Sequence, residues 1–483
     1  MLASCKKNPI IINSNPVVSK PPVLIENYTP YTWGDEVPCV ADSTITGNVN
    51  NTNIIIDNTI TVQPTRINGD TIYFKVPNTV INHLNGLQVS VNGKKSNQVS
   101  LTLALPQLAT NASVNLVYGG TLTINGQYFN PVLANNVVML GKLKLTVISA
   151  TKTQLVVKDD TSTISSSGGL TVTTGVGLSV PNGVTNKYYR YLRPQPNFPG
   201  TARTDATTVT VNGIVYFGLG KNAASTASLY DWWKYDPTSS TWTVLTTCPT
   251  GGYNIISFVI GGKVYVLSNT ALFIYDTSSD TWASGAAFPG GDLFGGTGFG
   301  SEQFGYVVCG QQQNQPGVQE VNFVWRYDQQ LDSWKKLANF PGSSREHAMS
   351  LTLNNSAYVI GGYAQVANNF YVSEMWKFDL TTEKWSQSAS LPSGAGLTGS
   401  FVFTSNNKIY SGGGTISDEI GESNFIYEYT PSTNTWTLKE RILDPINYGA
   451  AATSVNNVGY IISGQQTSFP YDGGSQYFFK FMQ

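Results

Sequence analysis

The stretch WWKYDPTSSTWTVLTTCP, residues 232–249, decides the fold. An aromatic-Asp strand ending in Tyr235 and Asp236 runs into a tight turn, DPTSST (236–241), and a second strand opens at Trp242. The same aromatic and tryptophan recur seven residues apart at Tyr275/Trp282, Tyr327/Trp334, Phe378/Trp385 and Tyr429/Trp436. Successive tryptophans stand 40, 52, 51 and 51 residues apart, and Pro249, Pro289, Pro341 and Pro392 each follow one of them by seven residues. Six strands ending in glycine or a small residue accompany these hairpins: VYFGLG (215–220), VYVLSN (264–269), YVVCGQ (306–311), YVIGGY (358–363), IYSGGG (409–414) and YIISGQ (460–465). Each unit is a small twisted sheet that cannot bury both faces alone. Stacking the units radially around an axis solves that problem.

The glycine pair, the spaced Tyr and Trp and the repeat of about 50 residues resemble the Kelch repeat over residues 186–483. The resemblance implies a six-bladed β-propeller. Ser268-Asn269 and Cys309-Gly310 stand where the second and third units should carry the glycine pair. The sixth unit runs through FFKFM (478–482), similar to WWKYD, VWRYD and MWKFD, and lacks its outermost strand. NKYYRYLRPQPNFPG (186–200) supplies it: its NFPG repeats the NFPG at 339–342, and Tyr191 sits near a tryptophan position. Pairing the two ends in one blade leaves no open edge.

Two further β modules precede the propeller. YGGTLTINGQYFNP (118–131) and VVMLGKLKLTVISATKTQLVVKD (137–159) alternate apolar and polar residues. They resemble the IPT/TIG family of immunoglobulin-like sandwiches in the Gly-rich strand, the "INGxxF" turn and the later "SxTxL" strand. STITGNV (43–49), DTIYFKVP (70–77) and LQVSVNGKKSNQVSLTL (87–103) carry the same outline more loosely. The expected fold is therefore all-β: a tether at 1–20, immunoglobulin-like β-sandwiches at 21–105 and 106–185, and the six-bladed Kelch β-propeller at 186–483. Such sandwiches commonly serve as spacers or docking modules. Trp33 with Tyr28 and Tyr31 reads as sandwich core or interdomain packing.

Charged residues are 12% of the chain and the net charge is −1, so no basic face exists to neutralise phosphates and no nucleic-acid partner is expected. The four cysteines, Cys5, Cys39, Cys248 and Cys309, have neither zinc-site spacing nor the density of a disulfide framework, and Cys309 reads as a buried, inert thiol. Leu2-Ala3-Ser4-Cys5, ahead of a polar stretch, resembles the bacterial lipobox. That resemblance implies lipidation of Cys5 and a lipid anchor to the outer membrane of a Gram-negative, Bacteroidetes-type bacterium. Cell-surface placement is expected; Lys6 and Lys7 stand where such lipoproteins carry acidic export residues, so a periplasmic placement stays open. The charged and apolar parts of a signal peptide do not precede Leu2, as in a chain trimmed near the processing site.

Five connections after the glycine pairs are long (218–229, 310–321, 361–373, 412–424 and 464–475), while the second blade has only SNTA (268–271). Five raised loops and one low one make a cup with a notch. Gln311, Gln312, Tyr363, Gln365, Phe370, Tyr371, Gln465, Gln466, Phe469 and Tyr471 are the expected lining. Amides that hydrogen-bond hydroxyls beside rings that stack on sugar faces suit a glycan; the same surface also suits a protein partner, and some rings serve only to pack the loops.

An enzyme is the competing class. A Kelch oxidase holds copper through two histidines and two tyrosines; the two histidines here, His83 and His347, fall in different modules, so that site and other His-rich metal centres are excluded and no cofactor is expected. The sialic acid mutarotases use Arg and Glu without metal, which makes Arg345, Glu346 and His347, expected to face the cup, the candidate acid–base set. Arg at this point of a Kelch blade commonly pairs structurally. Asp418, Glu419 and Glu422 add carboxylates in the fifth loop. The reading that emerges is a non-enzymatic binding lipoprotein, with a sugar mutarotase and an adhesion or assembly subunit as the alternatives.

Overall fold

The computed structural model describes residues 22–483 apart from 26, 28–29, 42–48, 110–114, 160–163, 180–184, 223–224, 226, 254, 315–316, 367–368, 445 and 466–474. Cys5, Gln466, Phe469 and Tyr471 therefore lie outside the described residues. The regular structure of the described residues is nearly all strand, with two single-turn 3-10 helices at Val49–Asn51 and Leu133–Asn135. Among the described residues no helix is long and apolar enough to cross a membrane. Two compact units form: residues up to 162 with Ser166–Tyr188, and Thr163–Ser165 with Tyr189–Gln483.

The first unit contains two apolar cores. One lies between the sheet of Glu36–Val40, Thr71–Lys75 and Arg66–Asn68 and the sheet built on Thr52–Ile56 and Leu84–Val91. Alternation sends Val37, Cys39, Ile72 and Phe74 inward from the first sheet to meet Ile54, Ile56, Leu87 and Val89 from the second. Trp33 is buried in this core and donates its ring N–H to the Val80 carbonyl at 2.7 Å, with Tyr31 packed at the margin; Tyr28 is outside the described residues. The other core collects Ile124, Phe129, Val138, Leu140, Leu155, Val157 and Val172. Here the "INGxxF" turn has a steric reason, because a Cβ on Gly126 would stand 2.4 Å from the Phe129 ring and 2.2 Å from the Gln107 carbonyl oxygen.

The second unit is a six-bladed β-propeller. Five sheets follow one another along the chain, each running from an innermost to an outermost strand. Blade 1 is Thr207–Val211, Ile214–Gly218, Trp232–Asp236 and Thr241–Leu245; blade 2 is Ile256–Ile260, Lys263–Ser268, Ala271–Asp276 and Thr281–Ser284. Blade 3 is Thr297–Gly300, Phe304–Val308, Val324–Asp328 and Ser333–Lys336; blade 4 is Met349–Leu353, Ser356–Ile360, Met375–Asp379 and Lys384–Ser388. Blade 5 is Thr398–Ser405, Lys408–Ser417, Phe425–Thr430 and Thr435–Arg441. Blade 6 takes Ala451–Val455, Val458–Ile462 and Phe478–Phe481 from the end of the chain and Leu192–Pro194 as its outermost strand. Each innermost strand lies against those of the blades before and after it, so the ring closes.

The seven-residue spacing is a cross-strand pair. Tyr235, Tyr275, Tyr327, Phe378 and Tyr429 stand directly opposite Trp242, Trp282, Trp334, Trp385 and Trp436. Their ring centroids lie 4.7 to 5.1 Å apart. Such aromatic pairs stabilise the sheet by about 0.5–1.5 kcal/mol beyond their buried area. The turn between them ends on a left-handed residue, φ 41–55° at Ser240, Asp280, Asp332, Glu383 and Asn434, and Asp and Asn tolerate that conformation better than most side chains. In three blades the same residue ties its blade to the one before: Asp280 accepts the Tyr275 hydroxyl (2.8 Å) and the Thr246 N–H (3.0 Å), Asp332 those of Tyr327 and Ala286, and Asn434 those of Tyr429 and Ala389.

The closing strand pairs antiparallel with the last one, Leu192 opposite Phe481 and Pro194 opposite Phe479. Tyr191 stacks on Phe481 at 5.6 Å. The Glu440 carboxylate is fully buried and accepts the backbone N–H groups of Ser165 (2.8 Å), Tyr191 (2.7 Å) and Arg441 (2.7 Å), while Asp444 accepts the Tyr189 hydroxyl at 2.7 Å. Phe198, also fully buried, packs edge-on against Phe217, Trp242 and Trp233 at 4.8–5.3 Å. Segment 189–198 is thereby part of the ring.

Candidate functional site

The channel along the propeller axis holds about 1050 Å³ and is walled by hydroxyls, among them Thr208, Ser257, Ser350 and Thr352. Thr210 pairs with Thr453 and Thr404 with Ser454, each at 2.8 Å, and Glu302 is the one ionisable residue among the described residues that line it. Acid–base groups gather instead at the face where the long connections emerge.

The glycine-pair positions fold back on the start of their own blade. At or near its end the second strand meets one or two left-handed residues, Leu219-Gly220, Asn269, Cys309-Gly310, Gly361-Gly362, Gly413-Gly414 and Ser463-Gly464, and in blade 5 it continues past them to Ser417. The next residue then bridges to the segment entering the innermost strand, giving Thr204 opposite Lys221, Phe294 opposite Gln311, Glu346 opposite Tyr363 and Tyr448 opposite Gln465. Beyond these bridges the connections form hairpins: Gln311–Asn314 with Gly317–Glu320, and Tyr363–Val366 with Asn369–Tyr371. In blade 2 only Asn269 and Thr270 separate the two strands, so no hairpin rises there.

Blade 4 concentrates the chemistry. Tyr363 stacks on Phe370 with centroids 5.6 Å apart and planes 10° from parallel, and Tyr371 stands edge-on to Tyr363 at 5.6 Å. Phe370 remains 41% exposed. The Tyr371 hydroxyl donates to Asp418 from the blade 5 connection. Beside Tyr363, the Glu346 carboxylate is 3.7 Å from the His347 ring and its side chain is 12% exposed. Burial pushes the Glu346 carboxyl up; His347 opposes this and Glu320 reinforces it. Burial likewise raises the Tyr363 phenol, and the charges of Asp418, Glu346 and Glu320 add to the rise.

Several expected cup residues are used elsewhere. Arg345 was expected to face the cup but is fully buried: its guanidinium donates to the Ser343 carbonyl (3.0 Å), the Gly361 carbonyl (3.0 Å) and the Glu374 carboxylate, and lies 5.1 Å over the Phe340 ring. Arg203 does the same in blade 1 with Leu219 and Asp231. The cause is geometric, since the guanidinium fork satisfies carbonyls and a carboxylate that the left-handed turn leaves inside. Gln312 spends its amide on the Gly290 carbonyl. Gln465 is fully buried with neither amide atom hydrogen-bonded, so it offers no surface to a ligand in this structure. Gln311 is half-buried, and Gln365 sits in the Tyr363–Val366 strand. Cys39, Cys248 and Cys309 are free and buried, and burial pushes their thiols up to about 12, 11 and 12, which leaves them protonated and unreactive.

Sequence reading missed Glu320 and the blade 1 counterpart of the blade 4 entry. RTDA (203–206) and REHA (345–348) share the Arg, the alanine and a left-handed third residue, φ 53° at Asp205 and 52° at His347. Asp205 is paired with Lys221 at 3.1 Å.

Residues 346–392 match the Kelch motif. The propeller is a Kelch β-propeller. Kelch-like protein 25 of Xenopus tropicalis is 30% identical over 170 residues, 34% of this chain and 27% of that protein. Kelch-like protein 23 of Homo sapiens is 26% identical over 215 residues, covering 44% and 36%. The N-acetylneuraminate epimerase of Escherichia coli is 24% identical over 224 residues, covering 45% and 57%. The chain thus spans between about a quarter and just over half of these relatives. The solved structure of YjhT overlays with a TM-score of 0.48 at 18% identity, over 58% of this chain and 94% of that one. A Kelch propeller supports a binding or scaffold role.

Proposed function

We propose that this chain is a non-enzymatic binding protein of the bacterial cell envelope whose Kelch loop face engages a glycan. The observation that carries the reading is the ring trio Tyr363, Phe370 and Tyr371, set beside the Asp418 and Glu346 carboxylates. Flat, partly exposed rings stack on sugar faces and carboxylates accept from hydroxyls. In this reading two IPT/TIG-like modules act as spacers, and acylated Cys5 anchors the chain to the outer membrane with the propeller at the cell surface.

A glycan array probed with wild type and a Tyr363→Ala/Tyr371→Ala variant tests it. Signals should appear for wild type and fall at least about tenfold in the variant, the loss of roughly one to two stacking contacts. An array with no signal for wild type sinks the glycan reading and leaves an envelope protein as the partner, as in an adhesion or assembly subunit. The sugar mutarotase alternative draws on the Glu346–His347 pair and on the relatives named N-acetylneuraminate epimerase; buried Arg345 offers it no catalytic group. Faster anomer equilibration of N-acetylneuraminate with catalytic amounts of protein, followed by NMR, would establish that alternative.

A further inference from the structure

The blade 4 sector is negative as well as aromatic. Glu346, Glu320 and Asp418 all act on the Tyr363 hydroxyl, and Asp418 and Glu422 on that of Tyr371. Among the described residues no lysine or arginine hydrogen-bonds or ion-pairs with Tyr363, Tyr371 or Glu346. The nearest arginine in sequence, Arg345, is turned inward and matched by Glu374. This differs from blade 1, where the carboxylate at the equivalent entry, Asp205, already has Lys221 as its partner. Glu346 has a weaker one: its mostly enclosed carboxylate pairs with the exposed His347 ring at 3.7 Å, a cation only when protonated, and stands beside the Gly295 backbone, which brings no side chain of its own. Where His347 is neutral, an enclosed carboxylate without a cation is costly and gains from one supplied by a ligand. The adjoining ring faces attract the same group, because a cation over an aromatic ring is stabilised by about 0.5–2 kcal/mol.

We propose that the blade 4 sector selects glycans bearing free amino groups, with an ammonium group of the ligand meeting Glu346 beside Tyr363 and Phe370, within the negative field of Glu320 and Asp418. This rests on the glycan reading above and names its ligand class. Anionic sugars are disfavoured for the same reason: their carboxylates would meet like charges with no arginine to receive them.

Calorimetric titration of the full chain with the tetramer of β-1,4-glucosamine and with its N-acetylated counterpart, near neutral pH, tests this. The amine tetramer should bind about tenfold more tightly, the worth of one cation–π or charge contact. The preference should shrink as sodium chloride is raised, a measurement that needs no variant. Glu346→Gln, which keeps the side-chain shape, should abolish it. Equal affinities in wild type, or tighter binding of the acetylated tetramer, overturn the amine preference and leave the glycan reading standing. Binding of neither tetramer, with binding of a lysine-rich peptide instead, overturns both.

Discussion

Blades 1 and 4 occupy opposite sides of the six-membered ring and are built on one plan. Arg203 and Arg345 are both fully buried, both clamp a left-handed turn, and both lie about 5 Å over a phenylalanine of an NFPG segment. They part at the next two residues. Thr204-Asp205 in blade 1 is neutralised by Lys221, whereas Glu346-His347 in blade 4 opens onto tyrosines and further carboxylates. The arginine is thus frame in both places. In the proposed reading, specificity lies in the residues that follow it and in the hairpin across from them.

The largest effect comes from opening the ring that holds both sectors. A chain beginning at Gly200 loses Leu192–Pro194 and the buried Phe198, and should melt roughly 10 °C or more below one beginning at Asn186, given about 3–5 kcal/mol for a buried phenylalanine alone. Unchanged melting of a monomer would remove the closing strand from the account.

Next come the arginines. Arg203→Met and Arg345→Met should each cost about 3 kcal/mol in urea unfolding, since each leaves buried carbonyls without a donor and a carboxylate without its cation. Loss of glycan binding in Arg345→Met with stability intact would return that residue to the site and break the comparison.

The carboxylates of blade 4 should respond with opposite signs. Burial raises the Glu374 carboxyl, but its hydrogen bond with Arg345 and the Arg345 charge bring it net below the ordinary range. Its stabilisation is therefore present above the unfolded carboxylate pKa of about 4 and lost as pH falls through the lower folded value. Glu346, net raised, behaves oppositely: its favourable contribution exists below about pH 4 and is lost as pH rises through the folded value. At neutral pH Glu374→Gln should destabilise by about 2 kcal/mol and Glu346→Gln stabilise by about 1 kcal/mol, with the latter gain vanishing in acid. A loss of stability in Glu346→Gln at neutral pH would mean that the carboxylate is satisfied within the fold.

The smallest effect sharpens the blade plan itself. Tyr275→Phe gives blade 2 the aromatic that blade 4 carries at Phe378 and deletes one hydroxyl bond to Asp280. Because Asp280 keeps the Thr246 N–H, thermal denaturation should show a cost of only about 0.5–1 kcal/mol.

Much of the fold was legible because its signals are local. A seven-residue interval across a turn admits little but a cross-strand pair, and a glycine pair after an apolar strand marks left-handed backbone. The site was only partly legible. Tyr363, Phe370 and Tyr371 fall within nine residues on one hairpin, and the structure brings them together. Gln312, Gln465 and Arg345 look equally fit for a ligand in sequence, since polarity does not reveal whether a donor will meet a ligand or a carbonyl left inside by a turn.

The sequence by itself determined the repeat, the blade hairpins, the glycine turns and the need for an outer strand from residues 186–200, because each depends on residue spacing along the chain. Tertiary structure alone decided that Glu346 joins Tyr363 and Glu320, that Lys221 quiets Asp205, and that Arg345 faces inward. Those outcomes depend on which side chains the stacked blades leave beside one another, and on the cost of burying a charge without a partner.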